Sequence, residues 1–282
     1  MDRFAGVVSF LKTRNLRLAV VISIGMGVYS LLAVFKERIP ATTMFADMPH
    51  DTHAVLSLVL GLLLVFRTNT AYDRWYEARR LLGRLVSESW LLMIKLEHFA
   101  HLNAEEKSEL HKLLLGFVDA TRMHLTDHAQ LKTTPGFESS AVDPRCTPTY
   151  LNSMLYKQIR QWYEAGRIKD SVLFILDKQL NEYLGIFGTC WRIKTTPIPI
   201  SYRYFIRQCI FLYLLMLPWA IVEDYQVWAA PVTIFLTYFM VGLEVIASSV
   251  EDPFNDLEDD IDLVQLQSAA DWTLDDLRQN QP

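Results

Sequence analysis

The stretch from Ala54 to Arg79, AVLSLVLGLLLVFRTNTAYDRWYEAR, decides how this chain is read. Its first part, Ala54 to Phe66, is apolar and uncharged but covers only 13 residues, short of the roughly 17 that a helix needs to cross lipid alone. No Pro or Gly separates it from the polar run that follows. From Trp75 the residues Ala78, Leu82, Leu85, Ser89, Leu92, Leu96 and Phe99 recur at alternating steps of three and four, one face of a helix continuing far beyond the apolar segment. A short apolar helix of this kind suits a place around a central axis. There, aliphatic rings at i, i+4 and i+8 form a constriction that gates ions by dewetting, and Gly61 lets neighbouring helices approach closely.

Outward from this segment, Leu18 to Phe35 and Tyr225 to Leu243 are each long enough to span the hydrocarbon. Cys209 to Val222 is short like Ala54 to Phe66, and both are expected to cross only as parts of longer helices. The composition agrees: 51% hydrophobic residues and a mean hydropathy of +0.15 are high for a water-soluble protein, yet 21% charged residues are too many for a chain wholly in lipid. The long uncharged stretch after Arg17 ends in Phe35-Lys36-Glu37 and not in a small-residue cleavage site, so it reads as a retained span.

The basic residues set the expected orientation. Arg3, Lys12, Arg14 and Arg17 precede the first segment, Arg67, Arg74, Arg79, Arg80 and Arg84 follow the second, and Arg192, Lys194, Arg203 and Arg207 lead into the third, against only Lys36 and Arg38 on the other side. By the positive-inside rule both termini and the middle region are cytoplasmic. The expected organisation is all-α: membrane helices in 1–66, a cytoplasmic helical region in 67–196, membrane helices in 197–250 and an acidic cytoplasmic tail in 251–282. Asp170 or Ser171 is positioned to cap a helix, and the Pro-, Ser- and Thr-rich Thr133 to Pro148 reads as a loop.

Several functional classes are set aside. A net charge of −5 lacks the basic excess of nucleic-acid binding. Cys146, Cys190 and Cys209 are odd in number and widely spaced, indicating neither a disulfide framework nor a zinc site. His98 with His101 and His124 with His128 have helical spacing, but no carboxylate pair stands in register with either, so packing or surface roles are expected. Glycine-rich phosphate loops and hydrolase or metalloprotease motifs are absent from the sequence, and no cofactor is expected.

Charged residues within apolar segments are expected to find partners, because burial in lipid costs ~2.5–3.5 kcal/mol at the bilayer centre. Arg207 and Glu244 are the two such residues, each read as a member of a structural ion pair or as snorkelling to the interface, with a permeation role for Glu244 as the other reading. After the last span, Glu251 to Asp262 concentrates carboxylates. Three readings stand for it: a solvated tail, a structural belt or cation-binding loop with Asp256, Asp259 and Asp260 as candidate ligands, and an enzyme site. The last rests on Asn255-Asp256-x-x-Asp259, which resembles the aspartate motif of membrane prenyltransferases; the second aspartate motif of those enzymes is missing here.

Three motifs together carry a family resemblance: Phe66 to Arg79 (FRTNTAYDRWYEAR), Thr196 to Tyr202 (TPIPISY) and Glu251 to Phe254 (EDPF), with two hydrophobic segments on each side of a helical insert. The chain resembles a prokaryotic bestrophin over nearly its whole length. That resemblance implies a homopentameric ion channel in the cell (inner) membrane, with a five-fold central pore for monovalent anions such as chloride. It places the hydrophobic neck at Val55, Val59 and Leu63 when Glu77 sets the register, or at Ala54, Leu58 and Leu62 in the alternative register. It places the cytoplasmic aperture at Ile198. Two departures from the family pattern are visible. Leu257 and Ser249 replace residues of the calcium clasp found in eukaryotic members, so calcium gating through it is not expected. The neck side chains are also smaller than the aromatic and isoleucine rings of well-known members, implying a wider neck. A cation-selective bestrophin homologue is the alternative reading.

Overall fold

The structure, a computed structural model, describes residues 14–37, 50–126 and 147–254. Among the described residues the chain is helical and contains no strand, as expected. The helices are α1 (Arg14–Glu37), α2 (His50–Ala100), α3 (Ala104–Leu125), α4 (Thr147–Glu164), α5 (Asp170–Thr195), α6 (Ile200–Tyr225) and α7 (Ala229–Val250). They fall into two compact units. One holds residues 14–37, 50–75 and 197–252, and the other holds 76–126, 147–196 and 253–254.

In the first unit, α1, α6 and α7 pack on one another. Leu16–Glu37, His53–Ala100 and the helical stretch Ile200–Val250 are long and apolar enough to cross a membrane. The last is a hairpin, because the helix breaks at Gln226, whose φ of +45° turns the chain into a short 3-10 segment, Gln226–Trp228. The fourth membrane helix therefore begins at Ala229 and not at the expected Tyr225, and it extends to Val250. Both short apolar segments are parts of longer helices: Ala54 to Phe66 lies in α2, and Cys209 to Val222 in α6. Leu60 and Leu64 of α2 join Ile206, Ile210, Leu214 and Leu217 of α6 in a common apolar core. At Gly27 the approach of α1 to α7 is so close that a Cβ would meet Ile234, 2.6 Å from its Cδ1.

The second unit is a helical bundle in which α3, α4 and α5 pack together beside the latter half of α2. The predicted stripe of α2 is buried at Ala78, Leu82, Leu85, Ser89, Leu92 and Leu96. Its last member, Phe99, is 46% exposed, and Ala100 is buried in its place. A strict 3.5-residue repeat drifts around a 3.6-residue helix, and over seven turns that drift brings the next residue inward. Phe117 of α3 packs on Tyr183 of α5, ring centroids 4.2 Å apart. Ser89 Oγ lies 2.8 Å from the Tyr183 hydroxyl, and burial pushes that phenol above its ordinary range.

The start of α3 is fixed by a capping box, Glu106 N–H donating to Asn103 Oδ1 and Asn103 N–H to Glu106 Oε2. Arg167 grips Glu106 with two N–H groups, at 2.6 and 3.0 Å, and donates to the carbonyls of Ala100 and His101 at the end of α2. His101, at φ +48°, makes the reversal between the two helices. Two local expectations shift. The N-cap of α5 is Lys169, which makes no side-chain cap, and Asp170, already inside the helix, accepts the Tyr163 hydroxyl at 2.9 Å. Thr147 and Pro148, expected at the end of a loop, open α4, where a proline lacks no needed N–H. The rest of that loop lies outside the described residues.

Candidate functional site

Two features of the first unit stand out: an aliphatic face of α2 left exposed among the described residues, and a charged cluster where the apolar runs end. The periodicity of α2 creates the first. His53, Leu60, Leu64 and Arg67 share the buried side of the helix, so residues half a turn away point outward. Val55, Leu58, Val59, Leu62, Val65 and Phe66 are all at least half exposed. Of the residues expected in the neck, Val55 and Val59 lie on this face at 62% and 51% exposure. Leu63 sits at its flank, half-buried, while Leu62 lies near its centre at 56%. Ile198 is 9% exposed in the single chain, just ahead of Pro199, the residue at the start of α6.

The second feature joins α2, α6 and α7. Glu244 is buried and accepts Arg207 Nε at 2.6 Å through Oε1, while its Oε2 lies 3.0 Å from Arg67 Nε. Ser248, one turn along α7, accepts Arg67 Nη2 at 2.8 Å and Arg207 Nη2 at 2.9 Å and donates to Glu244 Oε1 at 3.2 Å, which uses the whole bonding capacity of a hydroxyl. Glu251, 3% exposed, lies 3.6 Å from Arg67 Nη2 and 3.9 Å from Arg203 Nη1. Arg74 Nε donates to the Glu251 carbonyl at 3.2 Å. The structure thus brings the two charges singled out in the sequence, Arg207 and Glu244, into direct contact.

Arg67 and Glu251 are the members of this cluster that sequence reasoning missed. Arg67 reads at first as one more basic flanking residue, but it stands one turn after Leu64 on the Leu60 and Leu64 face, which the helical period marks as buried. Glu251 follows Glu244 by seven residues, so it shares that side of the helix turn. Asn255, Asp256, Asp259 and Asp260 lie outside the described residues. Among the described residues no His, Cys, Asp or Glu group is arranged to hold a metal ion. His98 Nδ1 stands 2.9 Å from Ile94 O and His124 Nδ1 3.1 Å from Ala120 O, each in its own helix, and His124 packs against Phe187 and Trp191.

With this arrangement described, comparison with known proteins is decisive. The family described as Bacterial/Fungal Bestrophin protein matches residues 4–276. The chain belongs to this family.

A voltage-dependent anion channel-forming protein of Synechocystis sp. is 30% identical over 250 residues, covering 84% of this chain and 80% of that protein. A protein of the same description from Nostoc sp. is 29% identical over 237 residues, covering 80% and 76%. The crystal structure of a bacterial bestrophin homologue from Klebsiella pneumoniae superposes with a TM-score of 0.83 at 22% identity, covering 94% of this chain and 99% of that one; it shares the fold. This bestrophin is a membrane ion channel and not an enzyme, which removes the prenyltransferase reading of Asn255, Asp256 and Asp259.

Proposed function

We propose that the chain assembles as a homopentamer in the cell membrane, termini cytoplasmic, and passes monovalent anions such as chloride along a five-fold axis lined by α2. The observation that carries this reading is the uncovered aliphatic face of α2. A helix whose apolar surface is exposed in the single chain, and whose opposite side is packed on α6, is oriented to meet symmetric copies of itself. Rings of Val55, Val59 and Leu63 then form the neck, with Leu62 beside them, and Ile198 forms the cytoplasmic aperture. A ring of aliphatic side chains offers an ion no ligand and acts by dewetting.

In this reading Glu244 and Arg207 hold helices together and do not touch the permeating ion, since both are committed to the cluster with Arg67 and Ser248. Anion selectivity draws on the description of the relatives. Cation selectivity is the second reading, favoured by the net charge of −5, which concentrates cations near the protein. The deciding experiment is the reversal potential of the purified protein in a planar bilayer under a KCl gradient. Reversal near the chloride equilibrium potential is expected; reversal near that of potassium assigns the second reading, and silence from a pentameric preparation overturns both.

A further inference from the structure

Beside the charged cluster, the first unit carries an open groove of about 570 Å³ that ion conduction does not use. One wall is a single face of α1, Leu18, Ile22 and Met26 at four-residue spacing. The second is α6, from Arg207 through Ile210 to Leu214, and the third is α7, along Val241 and Val245. Because α1 starts, α6 starts and α7 ends at the same side, the polar lining gathers at one end, where Arg207 and Glu244 stand with Ser248. Ser249 adds a second hydroxyl to the lining, and the remainder is apolar.

The dimensions identify an occupant. From Leu18 to Met26 the apolar wall runs about 12 Å at 1.5 Å per residue, most of the roughly 15 Å depth of one leaflet. With the apolar wall set in one leaflet, the charged end falls at headgroup depth. Arg207 remains 47% exposed and spends only two of its five N–H donors on Glu244 and Ser248. The cluster behind it sets the three guanidinium groups of Arg67, Arg203 and Arg207 against the two carboxylates of Glu244 and Glu251.

We propose that this groove holds one acyl chain of a phospholipid whose anionic headgroup pairs with Arg207. The site requires that the first unit lies in a bilayer and that no second protomer fills the groove, and it stands or falls independently of the pore's selectivity.

The test uses the full chain purified in detergent and challenged with dioleoylphosphatidylglycerol or dioleoylphosphatidylcholine, with bound lipid read by native mass spectrometry. The anionic lipid is expected to bind about fivefold more strongly, the worth of one arginine near a charged surface. Arg207→Gln removes that preference, and Ile22→Trp, which fills the groove, lowers retention of both lipids at unchanged assembly mass. Because Arg207→Gln also disturbs the cluster, a photo-crosslinking residue at the exposed Phe211 gives an independent readout. A phospholipid adduct there supports the site. Equal binding of the two lipids by the unaltered chain, undiminished retention by Ile22→Trp, or a cross-link from Phe211 to a second protomer overturns it.

Discussion

Arg67 and Glu244 lie 3.0 Å apart, Nε to Oε2, with the arginine side chain 1% exposed and the glutamate side chain 9% exposed. The contact fastens α2 to α7 at the end of the apolar run. Arg67→Met takes from Glu244 and Glu251 their shared, most buried cation, leaving Glu244 with Arg207 and Glu251 with the more distant Arg203. A loss of about 3–5 kcal/mol is expected, read as a drop in the unfolding temperature of the detergent-solubilised protein. Adding Glu244→Leu to Arg67→Met recovers part of that loss. A double variant no better than the single would mean that Arg67 acts through Glu251.

The neck is tested one ring at a time. Val55→Ala and Val59→Ala widen an aliphatic constriction and are expected to raise single-channel conductance. Leu62→Ala and Leu63→Ala separate the two registers, because Leu62 lies near the centre of the exposed face and Leu63 at its flank. The larger rise marks which side chain faces the axis, and no rise in any of the four moves the constriction away from α2.

At Gly27 the helices α1 and α7 approach so closely that even a methyl group displaces Ile234, a β-branched side chain with little rotamer freedom. Gly27→Ala is expected to destabilise the first unit, and Ile234→Ala in the same chain to relieve part of the effect. Thermal unfolding of the four members of this cycle measures the coupling; additive losses would show that the contact relaxes elsewhere.

In the second unit, the Arg167 guanidinium holds the Glu106 carboxyl down, from an ordinary 4.5 to about 2. A carboxylate with a depressed folded value contributes stability above its unfolded value and loses it as protons are added. Stability is therefore expected to fall as pH drops from about 4.5 towards 2, through the range set by these two values. Glu106→Gln, which has no proton to gain, shows a flatter profile there. Circular dichroism of the helical signal against pH compares the two, and parallel profiles would remove Glu106 from the acid response.

Much of the architecture was legible because it rests on periodicity. The apolar run from Ala54 and the stripe from Trp75 both carry a helical spacing with no breaker between them, and α2 is accordingly one helix. The hairpin between the last two apolar segments was legible from the break at Glu223 and Asp224, but the residue that makes it was not, since neither Gly nor Pro marks the turn and the positive φ falls on Gln226. Arg207 and Glu244 announced themselves as charges inside apolar segments. Arg67 did not, because an arginine at the edge of a span usually faces water, and only the position of Leu60 and Leu64 reveals that it turns inward. The capping box at Asn103 was equally visible in principle, as Asn followed three residues later by Glu.

The distance along the chain between Arg67 and its partners bears on how the protein is made. Ser248 is synthesised 181 positions after Arg67, and Glu244 only shortly before it. Throughout that interval the nascent α2 carries an arginine on its inward side before Glu244, Ser248 and Glu251 are translated, at a cost of roughly 2.5–3.5 kcal/mol if it is drawn into the hydrocarbon centre. The first two segments are thus held near the membrane surface at that end until the C-terminal hairpin arrives and closes the cluster. A chain terminated before Glu244 leaves Arg67 without the α7 partners that close the cluster.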